Sequence, residues 1–355
     1  MKKMNKKVLV GLSGGVDSSV AAALLVEQGH EVIGAFMKNW SGKITCGVEE
    51  VECGWKDERR GAMRVAAALG IPFLTFDFEK EYRAQVIETM FAEFERGRTP
   101  NPDILCNKFM KFDLFLREAE KLVCDYVATG HYARVEHGDR NKIRMGKDEN
   151  KDQTYFLWAI DPSVLGKVLF PIGDMDKPDV RAYAERLELP VHDKKDSVGI
   201  CFVGDVDIQE FLKERIPEDP GEIVTTEGKI VGKHHGVNFF TIGQRKGLGV
   251  AGGPYYVVDK DLEKKQLIVS SQYSPKLYGK GLSADQTNWF HEPESLPHDC
   301  LCRVRYRQEP VACTITSIEE DKVHITFKKE QRAITSGQSL VLYDGEEMIG
   351  GGVIE

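Results

Sequence analysis

The stretch Val8-Leu9-Val10-Gly11-Leu12-Ser13-Gly14-Gly15-Val16-Asp17-Ser18 passes from an apolar, strand-like run into an alanine-rich run, 19–26, with helical spacing. The turn between them suits an anion. Two glycines let the backbone approach a bound group, successive N–H groups and the helix start point at it, and the Ser13 and Ser18 hydroxyls add donors. Gly11, Leu12, Ser13, Gly14, Gly15, Val16, Asp17 and Ser18 thus form a candidate phosphate cradle, with Asp17 placed to hold Mg2+ on the phosphates. No Lys-Ser/Thr pair follows the glycines, so this is not the loop of motors and GTPases. A plain glycine turn before a buried helix is the alternative, and it requires neither the serines nor the aspartate.

Outward from the cradle, the first half alternates apolar strand-like runs (7–12, 31–37, 72–78, 125–129) with helix-like stretches (19–28, 57–69, 79–96, 108–123). That alternation predicts an α/β unit, a doubly wound parallel sheet with ligands at the carboxyl ends of its strands. After Gly204 the texture changes to valine-rich strands and tight turns, which predicts two small β-rich, barrel-like domains. The expected division is 1–206, 207–279 and 280–355.

The chain has 355 residues and a net charge of −8. That balance argues against a protein held on nucleic acid by bulk electrostatics, so any RNA contact must be local. The start lacks the apolar core and cleavage site of a signal peptide, and no run has transmembrane length, so a cytoplasmic location with mostly reduced cysteines is expected.

Two cysteine segments stand out. Gly97-Arg98-Thr99-Pro100-Asn101-Pro102-Asp103-Ile104-Leu105-Cys106-Asn107 reads as a proline-stiffened loop that delivers Asp103 and Cys106 just before a helix near Asn107. A thiol at a helix N-terminus gains thiolate character; a buried, inert cysteine is the alternative. In Lys194-Lys195-Asp196-Ser197-Val198-Gly199-Ile200-Cys201-Phe202-Val203-Gly204, two lysines approach a second cysteine.

The cradle resembles the SGGxDS loop of the ATP pyrophosphatases. With both cysteine segments, Thr129-Gly130-His131-Tyr132-Ala133-Arg134, Lys151-Asp152-Gln153-Thr154-Tyr155-Phe156, the 239–249 run ending Gly247-Leu248-Gly249, Arg303-Val304-Arg305-Tyr306-Arg307 and Gly350-Gly351-Gly352-Val353-Ile354, the chain resembles the bacterial tRNA-specific 2-thiouridylase family nearly end to end. The resemblance implies an adenine nucleotide alpha hydrolase-like catalytic domain that uses ATP to adenylate the C2 oxygen of the wobble uridine of tRNA. A cysteine persulfide then supplies sulfur. It implies Cys201 as persulfide carrier, Cys106 as its partner in a transient disulfide, Asp103 as acid/base, and Asn101, Pro102 and Asp103 around the target base. It adds Met37 and Gly130 to the nucleotide site, assigns tRNA contacts to Lys151, Asp152, Gln153, Arg305 and Tyr306, and requires a cysteine desulfurase or sulfur-relay protein as donor.

Residues 228–258 hold four Lys or Arg and no acidic residue, and Arg303, Arg305 and Arg307 alternate as on one strand face, where phosphates can bind. Cys300, Cys302 and Cys313 read as core and surface thiols rather than a metal set. At Cys46 and Cys53 the sequence departs from the family pattern. Two other readings compete: an enzyme that adenylates a small molecule, indifferent to both cysteines, and a silent RNA-binding protein with a relic cradle.

Overall fold

A computed structural model describes residues 5–46, 49–52, 54–195, 208–271 and 273–355. Cys53 and Cys201 lie outside the described residues. The first unit contains β1 (Lys7–Gly11), α1 (Val16–Glu27), β2 (Glu31–Lys38), the hairpin β3 (Lys43–Cys46) and β4 (Glu49–Glu52), α2 (Trp55–Ala68) and β5 (Phe73–Asp77). Helix α3 (79–95), helix α4 (102–121), β6 (Tyr126–Ala128), β7 (Ala133–Glu136), β8 (Lys142–Met145), β9 (Val168–Leu169) and α5 (Lys177–Arg186) follow. The sheet order is β5-β2-β1-β6-β9, all parallel.

Side-chain alternation along β1 explains the two layers. Val8 and Val10 pack with Ala22 and Leu25 of α1 and with Ala62 and Val65 of α2. Leu9 turns the other way, into the cluster that holds Val86 and Met90 of α3 and Met110 and Phe115 of α4. A parallel strand buried on both faces therefore reads as a continuous apolar run.

A short helix, α6 (Ile208–Lys213), leads into β10 (Gly221–Thr225), β11 (Ile230–His234), β12 (Tyr256–Asp261) and β13 (Gln266–Ser270). These pair in the order β11-β10-β13-β12, with β10 and β13 parallel. Among the described residues no ladder joins the outer strands of this sheet. The last unit does close: β14 (Tyr278–Trp289), β17 (Lys322–Arg332), β16 (Val311–Glu319), β15 (His298–Arg303), β18 (Ser339–Asp344) and β19 (Glu347–Ile354) pair in that order, and β19 returns to β14.

The barrel is welded to the parallel-sheet unit. Hairpin β7–β8 extends the barrel sheet through Glu347↔Arg144 and Met348↔Ile143. Asn288 Nδ2 donates to the carbonyls of Trp158 and Ile160 at 2.6 and 2.8 Å, and Trp158 Nε1 donates to Ser339 Oγ at 2.9 Å. Beside them the Arg303 guanidinium pairs with Asp152, their side chains 7% and 1% exposed. Asp152 also accepts from Gly146 N at 2.8 Å and Thr154 Oγ1 at 2.7 Å, so its charge is fully partnered.

Removing one member of a buried ion pair strands the other, at a cost of about 3–5 kcal/mol. Arg303→Met should lower the unfolding free energy by about that amount in urea titrations. Arg307→Met, at an exposed site, should change it by less than about 0.5 kcal/mol.

A candidate nucleotide and thiol site

Between β1 and α1 the backbone makes the predicted turn. Gly14 has φ +75°, and a Cβ there would meet the Glu58 carbonyl oxygen at 2.2 Å, so only glycine lets α2 come this close. Gly15 caps α1 in extended conformation without a side-chain hydrogen bond, which leaves the helix start uncapped by side chains. The serines shape the loop: Ser18 Oγ accepts from Ser13 N at 3.2 Å and donates to the Gly15 carbonyl at 3.2 Å, while Ser13 Oγ accepts from Gly15 N at 3.3 Å.

The cradle sits at the switch point of the sheet, where connections leave β1 toward β2 on one side and β6 lies on the other. Gly130, just past β6, presses on the cradle: a Cβ there would lie 2.6 Å from Ser18 N and 2.7 Å from the Asp17 carbonyl carbon. At Gly11 a Cβ would meet Met37 Cε at 3.2 Å and Phe115 Cε1 at 3.7 Å, which puts Met37 and helix α4 against the floor of the loop. Thr129 Oγ1 lies 2.7 Å from His131 Nδ1, and Lys111 Nζ of α4 lies 3.4 Å from Nε2. Burial, reinforced by the Lys111 charge, holds the His131 ring well below its usual range, so it is neutral at pH 7.

Among the described residues Asp17 has two side-chain partners. Lys177 Nζ donates to Oδ1 at 2.7 Å and to Oδ2 at 2.9 Å, and the Tyr132 hydroxyl donates to Oδ1 at 2.8 Å. From the other side, Lys194 Nζ donates to the Gly14 carbonyl at 3.1 Å. Sequence reasoning singled out neither role. Tyr132 lay within a quoted motif, but Lys177 precedes a proline at an ordinary helix start and carries no local signal.

The cysteine loop differs from its expected form. Helix α4 begins at Pro102 rather than near Asn107: Asn101 accepts from Asp103 N at 3.1 Å as its cap, and Pro102 occupies the first helical position. A proline there is a helix start, because its missing N–H has no intrahelical partner to lose. Asp103 therefore lies in the first turn. The Cys106 N–H already bonds within the helix, and its side chain is 0% exposed in the core beside Met110. Ahead of the helix, Thr99 is gripped by the barrel: its N–H donates to the Ser336 carbonyl at 2.9 Å, and Gln338 Nε2 donates to its carbonyl at 2.7 Å. Thr241, from the middle unit, lies 3.3 Å from the Thr99 hydroxyl.

The three arginines do not share a strand face, because β15 ends at Arg303. Arg303 turns inward to Asp152, and Arg305 Nη2 donates at 2.8 Å to the carbonyls of Ile242 and Ala333 and to Thr335 Oγ1. Arg307 alone is exposed, 5.4 Å from the Tyr306 ring. Alternation reports one face only while the strand continues. Tyr306 packs against Phe156 with the rings tilted by 50° and their centroids 4.3 Å apart. Asp152 is 3% exposed, and Gln153 Oε1 accepts from Tyr132 N at 3.0 Å, so the 151–153 segment backs onto the residue that holds Asp17. Lys151 is half-buried. Among the described residues no helix is long and apolar enough to cross a membrane.

Comparison with known proteins matches residues 6–205 to the tRNA methyl transferase HUP domain, 209–271 to the tRNA methyl transferase PRC-barrel domain and 279–354 to the aminomethyltransferase beta-barrel domain. The tRNA-specific 2-thiouridylase MnmA of Shouchella clausii (strain KSM-K16) is 47% identical over 359 residues, covering 100% of this chain and 98% of the relative. That of Yersinia pestis (strain Pestoides F) is 45% identical over 360 residues, covering 99% and 96%. Among solved structures, a 4-thiouridine synthetase–RNA complex with bound ATP is 18% identical at a TM-score of 0.37, covering 56% of this chain and 46% of that one.

Gly130→Ala should push the start of α1 out of place and weaken pyrophosphate binding at the cradle at least tenfold by calorimetry. Gly138→Ala, whose Cβ would find nothing nearer than 3.8 Å, should leave it unchanged. The neutral His131 ring sets a second expectation. An unfolded histidine takes a proton near pH 6.5 while the folded one resists. The stability tied to the neutral ring is therefore full above about pH 6.5 and is lost as the pH falls toward the folded value. Between pH 7.5 and 5.5 the urea midpoint should drop more in the unaltered protein than in His131→Asn.

Proposed function

The chain belongs to the tRNA-specific 2-thiouridylase family, and from that premise we propose that it is the sulfurtransferase that converts the wobble uridine of tRNA to 2-thiouridine at the expense of ATP. The observation that carries this reading is the junction of cradle and cysteine helix at the switch point, where Gly130 and Phe115 bring α1 and α4 against one loop. A polyphosphate on the cradle then lies beside the helix that bears Asp103 and Cys106.

Gly11, Leu12, Ser13, Gly14, Gly15, Val16, Asp17 and Ser18 bind the phosphates, with Met37 and Gly130 at the edge of the nucleotide. A single carboxylate shared with phosphate oxygens is an ordinary way to hold Mg2+, and Asp17 offers hard oxygen donors for it. Bound there, the metal neutralises phosphate charge. Asn101, Pro102 and Asp103 take the flipped base, with Asp103 as acid/base, and adenylation of the C2 oxygen releases pyrophosphate. The terminal sulfur of a Cys201 persulfide attacks C2 and AMP leaves. The Cys106 thiolate then attacks the Cys201 sulfur: the S–S bond to the transferred atom breaks, a Cys106–Cys201 bond forms, and the electron pair stays on the sulfur now attached to C2. A thiol reductant restores both cysteines.

Cys106 is enclosed, so entry of the base has to move the first turns of α4. The grip of the barrel on Thr99 offers the lever. The 151–153 and 305–306 segments contact tRNA through Lys151 and Tyr306, while Asp152, Gln153 and Arg305 hold those segments in shape from behind. A cysteine desulfurase or sulfur-relay protein loads Cys201, the location is cytoplasmic, and the working division is 1–206, 207–279 and 280–355.

The test is mass spectrometry of nucleosides from unmodified tRNA incubated with Mg-ATP and a persulfide donor. 2-Thiouridine should form at the wobble position with the unaltered protein, should require ATP, and should be lost in Cys106→Ser and Cys201→Ser. Cys201→Ser should still bind tRNA. AMP accumulating without tRNA, and no thiolated nucleoside, would replace this reading with small-molecule adenylation.

A further inference from the structure

One polar stripe runs along helix α4. Asp103, Asn107 and Lys111 stand four residues apart, so they share a face. Asp103 lies in the first turn, while Lys111 Nζ is 3.4 Å from Nε2 of His131, the residue after Gly130. Asn107 therefore lies between the end of the helix that takes the target base and the end that meets the nucleotide cradle. It directly follows Cys106 and is only 2% exposed. Its amide is half used. Nδ2 donates to the Phe156 carbonyl at 3.0 Å, and the Phe156 N–H is itself tied to the Gln153 carbonyl at 3.0 Å. Oδ1 is buried and, among the described residues, accepts from no donor. The amide cannot be turned round, because its oxygen would then face the Phe156 carbonyl oxygen. Asn107 thus presents an acceptor of fixed direction, and a buried acceptor without a donor is kept only at a cost to stability.

The substrate supplies the matching donor. Uracil and cytosine carry the same C2 oxygen, so the atom to be replaced does not tell them apart. They differ along the rest of the Watson–Crick edge, by which a flipped base is read. Uracil joined to ribose has a single N–H donor, at N3, where cytosine has a lone pair. We propose that Asn107 is a specificity-determining residue of the base site: its Oδ1 accepts the N3–H of the flipped uracil and turns away cytosine, whose N3 lone pair would face it. The inference rests on the reading of the chain as a wobble-uridine thiolating enzyme and adds what selects the base within it. The movement of α4 that uncovers Cys106 uncovers its neighbour Asn107 as well. Phe156, which fixes the direction of the amide, packs against Tyr306, so the segment that contacts tRNA also sets the reading group.

The experiment measures tRNA-dependent pyrophosphate release from Mg-ATP by the full chain, with two tRNA transcripts that differ only in carrying uridine or cytidine at the wobble position. The unaltered protein should favour uridine by about a hundredfold or more in kcat/KM, because a site built to bond a donor rejects the base that lacks it. Asn107→Leu should lower kcat/KM for the uridine tRNA by about thirtyfold while the cytidine tRNA stays within about threefold, so the preference shrinks by about tenfold or more. Equal losses with both tRNAs would show a bracing role through Phe156 and overturn the proposal, as would an unchanged preference. If the unaltered protein releases no pyrophosphate with either tRNA, the thiolation reading falls instead. Should Asn107→Leu not fold, the unaltered protein decides with tRNA carrying 3-deazauridine at the wobble position, where C–H replaces the N3–H. With an ATP analogue bearing a methylene between the α and β phosphates, this tRNA should bind about tenfold more weakly than the uridine tRNA, and equal affinity refutes the proposal.

Discussion

The close approach of two backbones, Gly130 against Asp17 and Ser18, is the constraint on which the rest of the site depends. There is no room for a single methyl group between the end of β6 and the start of α1. That contact sets the α1 N-terminus at the crevice of the switch point, and Gly14 on the other side lets α2 pack against the same turn. The serine hydroxyls then tie the loop to itself. An anion site made of backbone groups works only if they are held in place beforehand, because each N–H contributes modestly and only their convergence binds.

Around the cradle the fold brings together residues from far along the chain. Tyr132, placed by the turn after β6, and Lys177, placed by the start of α5, meet on Asp17. The 151–153 segment lies behind Tyr132 and is anchored to the barrel by the buried Asp152–Arg303 pair. An unbroken series of contacts thus runs from the barrel to the phosphate loop. A second one runs through Thr99 to the first turn of α4, where Asp103 stands. Both tie the β-rich half to the elements that carry Asp17 and Asp103.

Pattern reading went wrong where a local rule has two outcomes. Two prolines around Asn101 signal rigidity, and the reading as loop neglected that proline at the first helical position begins a helix when an asparagine caps it. Consequently Cys106 is interior rather than at an open helix end. At 303–307 the alternation of arginines was sound as a pattern, but the strand stops at Arg303, and each guanidinium then finds its own partners.

The sequence by itself determined the α/β layering, because apolar runs of strand length alternate with helical periods, and it determined the glycine-rich turn between β1 and α1, because its glycines and serines lie where a strand gives way to a helix. Those are local properties, encoded within a dozen residues. Only the tertiary structure decided which charge sits on Asp17, where Cys106 faces, and that hairpin β7–β8 extends the barrel. Each of these joins residues far apart in the chain, and such partnerships are chosen by packing, which no local pattern specifies.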